Sequence, residues 1–430
     1  MPMDTIRRHL LTPLASLARK ERVIVVSGAR QTGKTTLCEF QLPGELRAPH
    51  AYVSFDDPDE RLRFQKGAVS LLESYDEPLV VLDEIQKTPF LFDPLKLVSD
   101  RARKQGGKGP VFVLTGSSQF LLMKEVRETL AGRISLLNLH PFSLSELSGS
   151  AGPSLLTRIF REKGMPRGEP GRLVSIPSER TRKAMHLAAG HREWGGFPPV
   201  WHRKDREERI RWLRDYRRTH LERDIADVGQ VADLDAFALT QKILCARTGN
   251  ILSLSEVSRD VSLSVNTVKR YLGLLSRSFQ CHLLPPFFEN GGKRLVKSSK
   301  VFFSDPGLSR AILGEMSIGG GAAYESWVFS ELMKWTALQA TEPELFHYRT
   351  AAGLEIDFLV AMRGNILPIE VKNREKIGPI DGRSVETFLN EHPRATRVGL
   401  VVYPGRELAE VRKRVWAVPD WYLFGGTAEG

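Results

Sequence analysis

Cysteine is scarce in this chain: Cys38, Cys245 and Cys281 are the only three, and they lie far apart. That spacing fits neither a disulfide framework nor a zinc cluster. No run of about eighteen uncharged apolar residues occurs, which argues against a membrane-spanning helix. The opening stretch "MPMDTIRRHLLTPLASLARKERVIVV" lacks the apolar core and small-residue cleavage site of a secretory signal. No segment repeats at a fixed period, so a solenoid is not expected. These absences point to a cytoplasmic chain. Acidic residues are also outnumbered, 51 against 62 lysines and arginines, for a formal net charge of +11. That balance favours anionic partners such as nucleic acid, bound in a salt-sensitive way, although a solvated basic surface has the same composition.

What is present is a globular mixture, 41% hydrophobic and 26% charged, in 430 residues. A chain of that length is expected to form roughly two to four domains. Residues 1–147 alternate apolar runs with helix-length segments: "RVIVVSG", "AYVSFDD", "PLVVLDE", "PVFVLTGSS" and "ISLLNL". Near-continuous Val, Leu and Ile runs separated in this way predict a buried parallel sheet with crossover helices. Residues 180–290 read as helical, and a second α/β region spans 300–430. The segment between, around 149–178, is rich in turn residues and reads as a loop or linker.

The stretch "GARQTGKTT" matches a phosphate-binding loop, with Gly28, Ala29, Arg30, Gln31, Thr32, Gly33, Lys34, Thr35 and Thr36 as candidate nucleotide contacts. It leaves an apolar strand and enters a helix, the context in which backbone N–H groups close around phosphates. Lys34 is placed to reach the β- and γ-phosphates of ATP, and the Thr35 hydroxyl to ligate Mg²⁺. The strand "LVVLDE" ends in Asp83, which would hold the magnesium shell, and Glu84, which would polarise the attacking water. A third strand end, "LTGSS", offers Thr115 or Ser117 as a polar sensor of the γ-phosphate, and Ser117 is counted with the nucleotide contacts. Arg133 is read either as a finger completing a neighbour's site in a homo-oligomer or as a surface arginine.

The order "GARQTGKTTL", "VSFDDPDER", "VVLDEIQK", "LTGSSQFLL", "LAGRI", "PFSLSEL" resembles the AAA-type ATPases of bacteria and archaea that carry a distinct C-terminal half. "GGFPPV", "LERDIADV" and "DPGLSRAIL" resemble the same group, so the likeness runs over most of the chain. It implies an α/β fold with a P-loop NTPase parallel-sheet domain, ATP and Mg²⁺ as cofactors, and the roles given above to Asp83 and Glu84.

In the middle region, "ILSLSEVSRDVSLSVNTVKRYLGLLSRSFQCHLL" reads as helix, turn, helix and extended chain. Ser253 and Ser264 are suitable N-caps. Val268, Tyr271, Leu272 and Leu275 form an apolar stripe, which leaves Asn266, Thr267, Lys269 and Arg270 outward as in a DNA-recognition helix. A winged-helix-like module that only packs domains together is the plain alternative.

Near the end, "GLEIDFLVAMRGNILPIEVKN" alternates apolar and charged residues around Arg363-Gly364. A two-residue turn there pairs Met362 with Asn365, and sets Asp357 opposite Glu370 and Glu355 opposite Lys372. Opposed carboxylates repel unless a cation compensates. Asp357, the Glu370-Val371-Lys372 triplet and Glu325 on a preceding helix resemble the PD-(D/E)xK nuclease superfamily. That resemblance implies a restriction-endonuclease-like α/β domain in which Glu325, Asp357 and Glu370 bind Mg²⁺ and Lys372 orients water or stabilises phosphorane charge. Edge acids on an ordinary hairpin are the alternative. The expectation is therefore a Mg²⁺-dependent ATPase coupled to a DNA-binding C-terminal region, with the nuclease resemblance leaving cleavage open, and with no membrane partner; the competing one is a nucleotide-controlled switch whose C-terminal domains only bind proteins.

Overall fold

The computed structural model describes residues 6–104, 106, 109–116, 134–150, 152–167, 179–221, 231, 233–288, 298–314 and 320–425. The chain divides into two compact units. One is Met1–Pro141 with Thr219–Val231 and Arg277–Phe279, and the other is Phe142–Arg218 with Ala232–Ser276 and Gln280–Gly430.

The first unit is a parallel sheet with crossover helices. After α1 (Leu11–Ala18) come β1 (Val23–Ser27), a wide helical turn over Thr36–Gln41 continuing into α2 (Leu42–Leu46), and β2 (His50–Ser54). Next are α3 (Pro58–Glu73), β3 (Leu79–Asp83), α4 (Phe92–Lys104), β4 (Val111–Gly116) and β5 (Ser135–Asn138). The strand order is β2-β3-β4-β1-β5 and every pairing is parallel. β1, β3 and β4 are buried along their whole length, as their unbroken apolar runs require of strands covered on both faces. Phe64 of α3 and Phe92 and Leu95 of α4 pack with Leu82, Phe112 and Leu114, and Phe55 meets Phe64 edge-on with ring centres 5.3 Å apart. This order puts the carboxyl end of β3 between those of β2 and β4, beside the loop that leaves β1.

The second unit contains most of the helical middle together with the C-terminal α/β region. Helix α5 (Leu254–Asp260) and helix α6 (Val265–Arg277) are followed by a two-stranded antiparallel ribbon of β6 (Cys281–Leu284) and β7 (Lys300–Phe303). The expected caps are present: Ser253 accepts from the N–H of Glu256, and Ser264 from that of Thr267. Val268, Tyr271, Leu272 and Leu275 are buried, while Asn266, Lys269 and Arg270 are exposed. After α7 (Gly320–Thr336) come β8 (Glu344–Arg349), β9 (Glu355–Met362), β10 (Asn365–Val371), α8 (Arg383–Glu391), β11 (Gly399–Tyr403), β12 (Ala409–Arg412) and β13 (Val415–Pro419). The six strands form a mixed sheet in the order β12-β13-β11-β10-β9-β8.

Trp327, Phe329 and Leu332 of α7 pack on Phe358, Val360, Ile369, Leu400 and Val402 of this sheet. Leu155, Leu156 and Ile159, from the turn-rich segment read as a linker, join the same core within the helix Leu155–Glu162. Ala188 and Leu144 join it too. Trp327 is fully buried, and its indole N–H lies 2.9 Å from His191 Nδ1. The chain segments quoted as "GGFPPV" and "DPGLSRAIL" meet here. The Asp305 carboxylate accepts N–H groups of Gly196, Gly307 and Leu308, capping the helix Pro306–Leu313. A Cβ on Gly195 would lie 1.9 Å from Asp305, and one on Gly196 would lie 2.2 Å from the Phe142 carbonyl oxygen, so both positions need glycine.

Among the described residues no helix is long and apolar enough to cross a membrane. Trp327→Ala is expected to destabilise the second unit by roughly 3–5 kcal/mol, the usual range for deleting a buried aromatic; a denaturant titration that follows this unit measures it.

Candidate functional site

The loop after β1 closes because its backbone is unusual at three positions. Gly28 has φ 159° and a Cβ there would lie 2.3 Å from the Leu139 carbonyl oxygen; Gly33 has φ 91° and Gln31 φ 62°. The last two are left-handed values that glycine adopts freely and a side-chain-bearing residue rarely does. Thr32 is buried, and its hydroxyl donates to the Ala29 carbonyl at 2.8 Å. Lys34 is buried within the loop, and its Nζ donates to the carbonyls of Gly28 and Ala29, each at 3.0 Å. Thr35 and Thr36 stand at the start of the following helical segment.

Asp83 is the junction of this site. It is buried at the end of β3, and three hydroxyls from three other elements donate to it. Thr35 Oγ1 approaches Oδ2 at 3.1 Å, Tyr52 Oη approaches the same oxygen at 2.7 Å, and Thr115 Oγ1 binds Oδ1. Glu84 follows with φ 55°, and its carboxylate accepts the Gln86 side-chain amide. Thr115 also accepts the Glu84 N–H at 3.4 Å. Of the two sensor candidates, Thr115 therefore sits in the site, bound to Asp83; Ser117 and Arg133 lie outside the described residues. Burial, then Asp83, pushes the Tyr52 phenol above its ordinary range and likewise raises the Cys38 thiol. Both stay protonated at neutral pH.

Two members of this site escaped the sequence reading. Tyr52 was read only as part of a strand. Its place became visible only when β2 paired with β3 in the register Tyr52↔Val81 and Ser54↔Asp83. Arg8 lies before the first helix, with no motif to mark it. Its guanidinium donates to the Thr32 carbonyl and to the His140 carbonyl, each at 2.6 Å, and its backbone N–H to Gln41 at 3.1 Å. It thereby ties the phosphate loop to the chain just after β5. Charge-assisted bonds of this kind contribute about 1.5–3 kcal/mol each. Arg8→Ala is expected to weaken nucleotide binding by roughly 10- to 100-fold while Arg8→Lys retains part of it, as read by titration with a fluorescent ATP analogue.

A second cluster of ionisable groups lies in the second unit, on the hairpin of β9 and β10. The turn is the expected one: Met362 pairs with Asn365, and Arg363 and Gly364 take φ 51° and 76°. Regular pairing continues to Phe358↔Ile369. Beyond it the expected partnerships change. Asp357 Oδ2 accepts the Val371 N–H at 2.8 Å, and Lys372 turns to Glu370 of its own strand at 2.6 Å instead of facing Glu355. Glu355 is held by an amine the sequence reading missed, Lys300 of β7. Lys300 Nζ lies 3.0 Å from Glu325, 3.4 Å from Glu355 and 3.9 Å from Asp357. Only 4% of Lys300 is exposed. No sequence signal could have found it, because β7 is neighbour to these acids only in three dimensions.

Glu370 is 8% exposed, and among the described residues its Oε2 has no hydrogen-bond partner. Burial, then Asp357, lifts the Glu370 carboxyl to about 8 against the opposing pull of Lys372. Glu325 rises to about 7 by burial and Asp357, opposed by Lys300. Burial also raises Asp357, against Lys300 and the Val371 N–H. For Lys300 burial acts downward, but Glu325, Asp357 and Glu355 outweigh it and hold the amine above the ordinary lysine value. Among the described residues no group of three or more His, Cys, Asp and Glu side chains is arranged to hold a metal ion.

Residues 20–148 match the AAA domain family. Residues 189–317 and 320–423 match two domain families of unknown function. The first unit is thus an AAA-type, P-loop ATP-binding domain. The chain is similar to an uncharacterized protein of Mycobacterium tuberculosis, 27% identical over 98% of this chain and 86% of that protein. It is also similar to an uncharacterized protein of Methanocaldococcus jannaschii, 23% identical over 79% and 72%. Among solved structures it is similar to the Thermotoga maritima RuvB Holliday junction branch migration motor, with 16% identity, a TM-score of 0.27, and coverage of 64% of this chain and 89% of that one. The replication initiator DnaA bound to AMPPCP and single-stranded DNA gives 15% identity, a TM-score of 0.26, and coverage of 63% and 90%.

The sign of a pH effect follows from the raised carboxyls. A carboxyl whose folded value lies above its ordinary 4.5 contributes stability that is full below pH 4.5 and is lost as pH rises through the folded value, here about 8 for Glu370. The groups facing it are Asp357 and Glu355 of β9 and Lys372 next along its own chain. The second unit is expected to lose stability from pH 4.5 to about 8, and Glu370→Gln to flatten that decline, in denaturant midpoints measured across the range.

Proposed function

We propose that this protein is a Mg²⁺-dependent ATPase whose cycle is coupled to nucleic acid bound by the second unit. The observation that carries the first half is the contact of Thr35 Oγ1 with Asp83 Oδ2 at 3.1 Å beside the closed Lys34 loop. A hydroxyl and a carboxylate at this spacing are hard oxygen donors of the kind Mg²⁺ takes, so the donor set fits the ion. When bound, Mg²⁺ would neutralise charge on the phosphates. Lys34, now satisfied by two carbonyls of its own loop, would exchange them for phosphate oxygens. Glu84 would accept the proton of the attacking water, and Thr115 would hold Asp83 and the Glu84 backbone in place. Gly28, Ala29, Arg30, Gln31, Thr32, Gly33 and Thr36 would line the phosphates through the backbone, and Ser117 remains a proposed contact.

The nucleic-acid half rests on the exposed Asn266, Lys269 and Arg270 of α6, the ribbon β6–β7 that follows it as a wing would, and the net charge of +11. In the nuclease-like reading, Glu325, Asp357, Glu370 and Lys372 would form the reactive centre. One observation favours the second reading, a nucleotide-controlled switch with a non-cutting second unit: the carboxylates are gathered on the Lys300 amine.

The test is ATP turnover with Mg²⁺, with and without single- and double-stranded DNA, over a range of salt. Lys34→Ala and Asp83→Asn should abolish turnover. Glu84→Gln should lower it on the order of 10²-fold or more, within the span of general-base contributions, while ATP still binds. DNA stimulation that fades with salt supports the coupled reading. Turnover indifferent to DNA at every salt concentration leaves the switch. Turnover that survives Lys34→Ala would remove the nucleotide-site assignment.

A further inference from the structure

We infer that the ammonium of Lys300 is the resident cation of the carboxylate cluster on β9, β10 and α7, standing where a divalent metal would have to bind. The resemblance to metal-dependent nucleases implies Mg²⁺ at Glu325, Asp357 and Glu370, and the residues present do not fit it. An ammonium has three donors, and Lys300 Nζ faces three carboxylates, from α7 and from two positions of β9, at 3.0, 3.4 and 3.9 Å. The nearest of these is a direct hydrogen bond. Mg²⁺ demands near-octahedral oxygen ligands at about 2.0–2.1 Å, and an ammonium seated among the same carboxylates repels the ion and holds the nearest of them at hydrogen-bond spacing instead.

Lys300 is also fixed from behind. Its backbone pairs with Leu284 in the ribbon and bridges to Ile251, and the neighbouring Ser299 carbonyl accepts the Leu252 N–H at 2.8 Å. The fourth carboxylate, Glu370, is taken by a second amine, Lys372, at 2.6 Å. The four acids, Glu325, Glu355, Asp357 and Glu370, thus face two internal amines, Lys300 and Lys372. Among the described residues Glu370 Oε2 has no hydrogen-bond partner, and no group of three or more His, Cys, Asp and Glu side chains is arranged to hold a metal ion. A divalent ion can enter this cluster only if the Lys300 amine leaves it.

This inference rests on the second, non-cutting reading of the C-terminal unit and is independent of the ATPase assignment. The experiment is a Mn²⁺ titration of the full chain without nucleotide, followed by electron paramagnetic resonance of free Mn²⁺, on wild type, Asp357→Asn, Lys300→Met and the double variant Lys300→Met/Asp357→Asn. All four share an intact phosphate loop, so differences report the cluster alone. Wild type and Asp357→Asn are expected to bind the same number of ions. Lys300→Met is expected to gain one ion, which the double variant loses. If wild type binds one more ion than Asp357→Asn, or binds at the cluster within threefold of the Lys300→Met affinity, the inference is overturned. Should Lys300→Met fail to fold, the comparison of wild type with Asp357→Asn decides alone, and Lys300→Arg, which keeps a cation, is expected to match wild type.

Discussion

A carboxylate buried at the end of a strand must be matched or it costs several kcal/mol, and Asp83 is matched by hydroxyls from three separate elements. Thr35 comes from the turn after the phosphate loop, Tyr52 from β2 and Thr115 from β4. The strand order makes this arrangement unavoidable, since β3 lies between β2 and β4 and all three end at the same side of the sheet. The position of Glu84, the path of the loop and the start of the helical turn at Thr36 all follow from that one junction. Arg8 completes it from the other side by fixing the Thr32 carbonyl against that of His140.

The two charged sites of this chain solve the same electrostatic problem in opposite ways. Asp83 is surrounded by neutral hydroxyls, which relieve its burial by hydrogen bonding and leave its charge available to a cation. Glu325, Glu355 and Asp357 gather around one ammonium, which offsets part of their charge. Both are gatherings of oxygens, the first at strand ends and the second on β9 and the helix α7.

Two of the sequence blocks that carry the family resemblance have structural work. Gly195 and Gly196 are required because the Asp305 carboxylate and the Phe142 carbonyl occupy the space a Cβ would fill. Asp305 caps the helix Pro306–Leu313 while binding the Gly196 N–H, so two distant blocks meet as one contact. The turn-rich segment before residue 179 was misleading in the other direction. Its composition suggested a linker, yet Leu155, Leu156 and Ile159 lie in the core, because three apolar residues on one helical face suffice to dock a short helix.

Local patterns carried a good deal. The strands of the first unit, the phosphate loop, the buried stripe of α6 with its Ser253 and Ser264 caps, and the turn at Arg363-Gly364 were all legible, because each depends on a few consecutive residues and their periodicity. The AAA-type character of residues 20–148 was legible for the same reason, since its loop and its strand-ending acids are contiguous. Three things were decided only by tertiary structure: Tyr52 on Asp83, Arg8 across the loop, and Lys300 among the hairpin acids. Each joins residues at least 24 positions apart. Charge and hydrogen bonding act through space, and a buried partner for a carboxylate is chosen by which strand lies next to which.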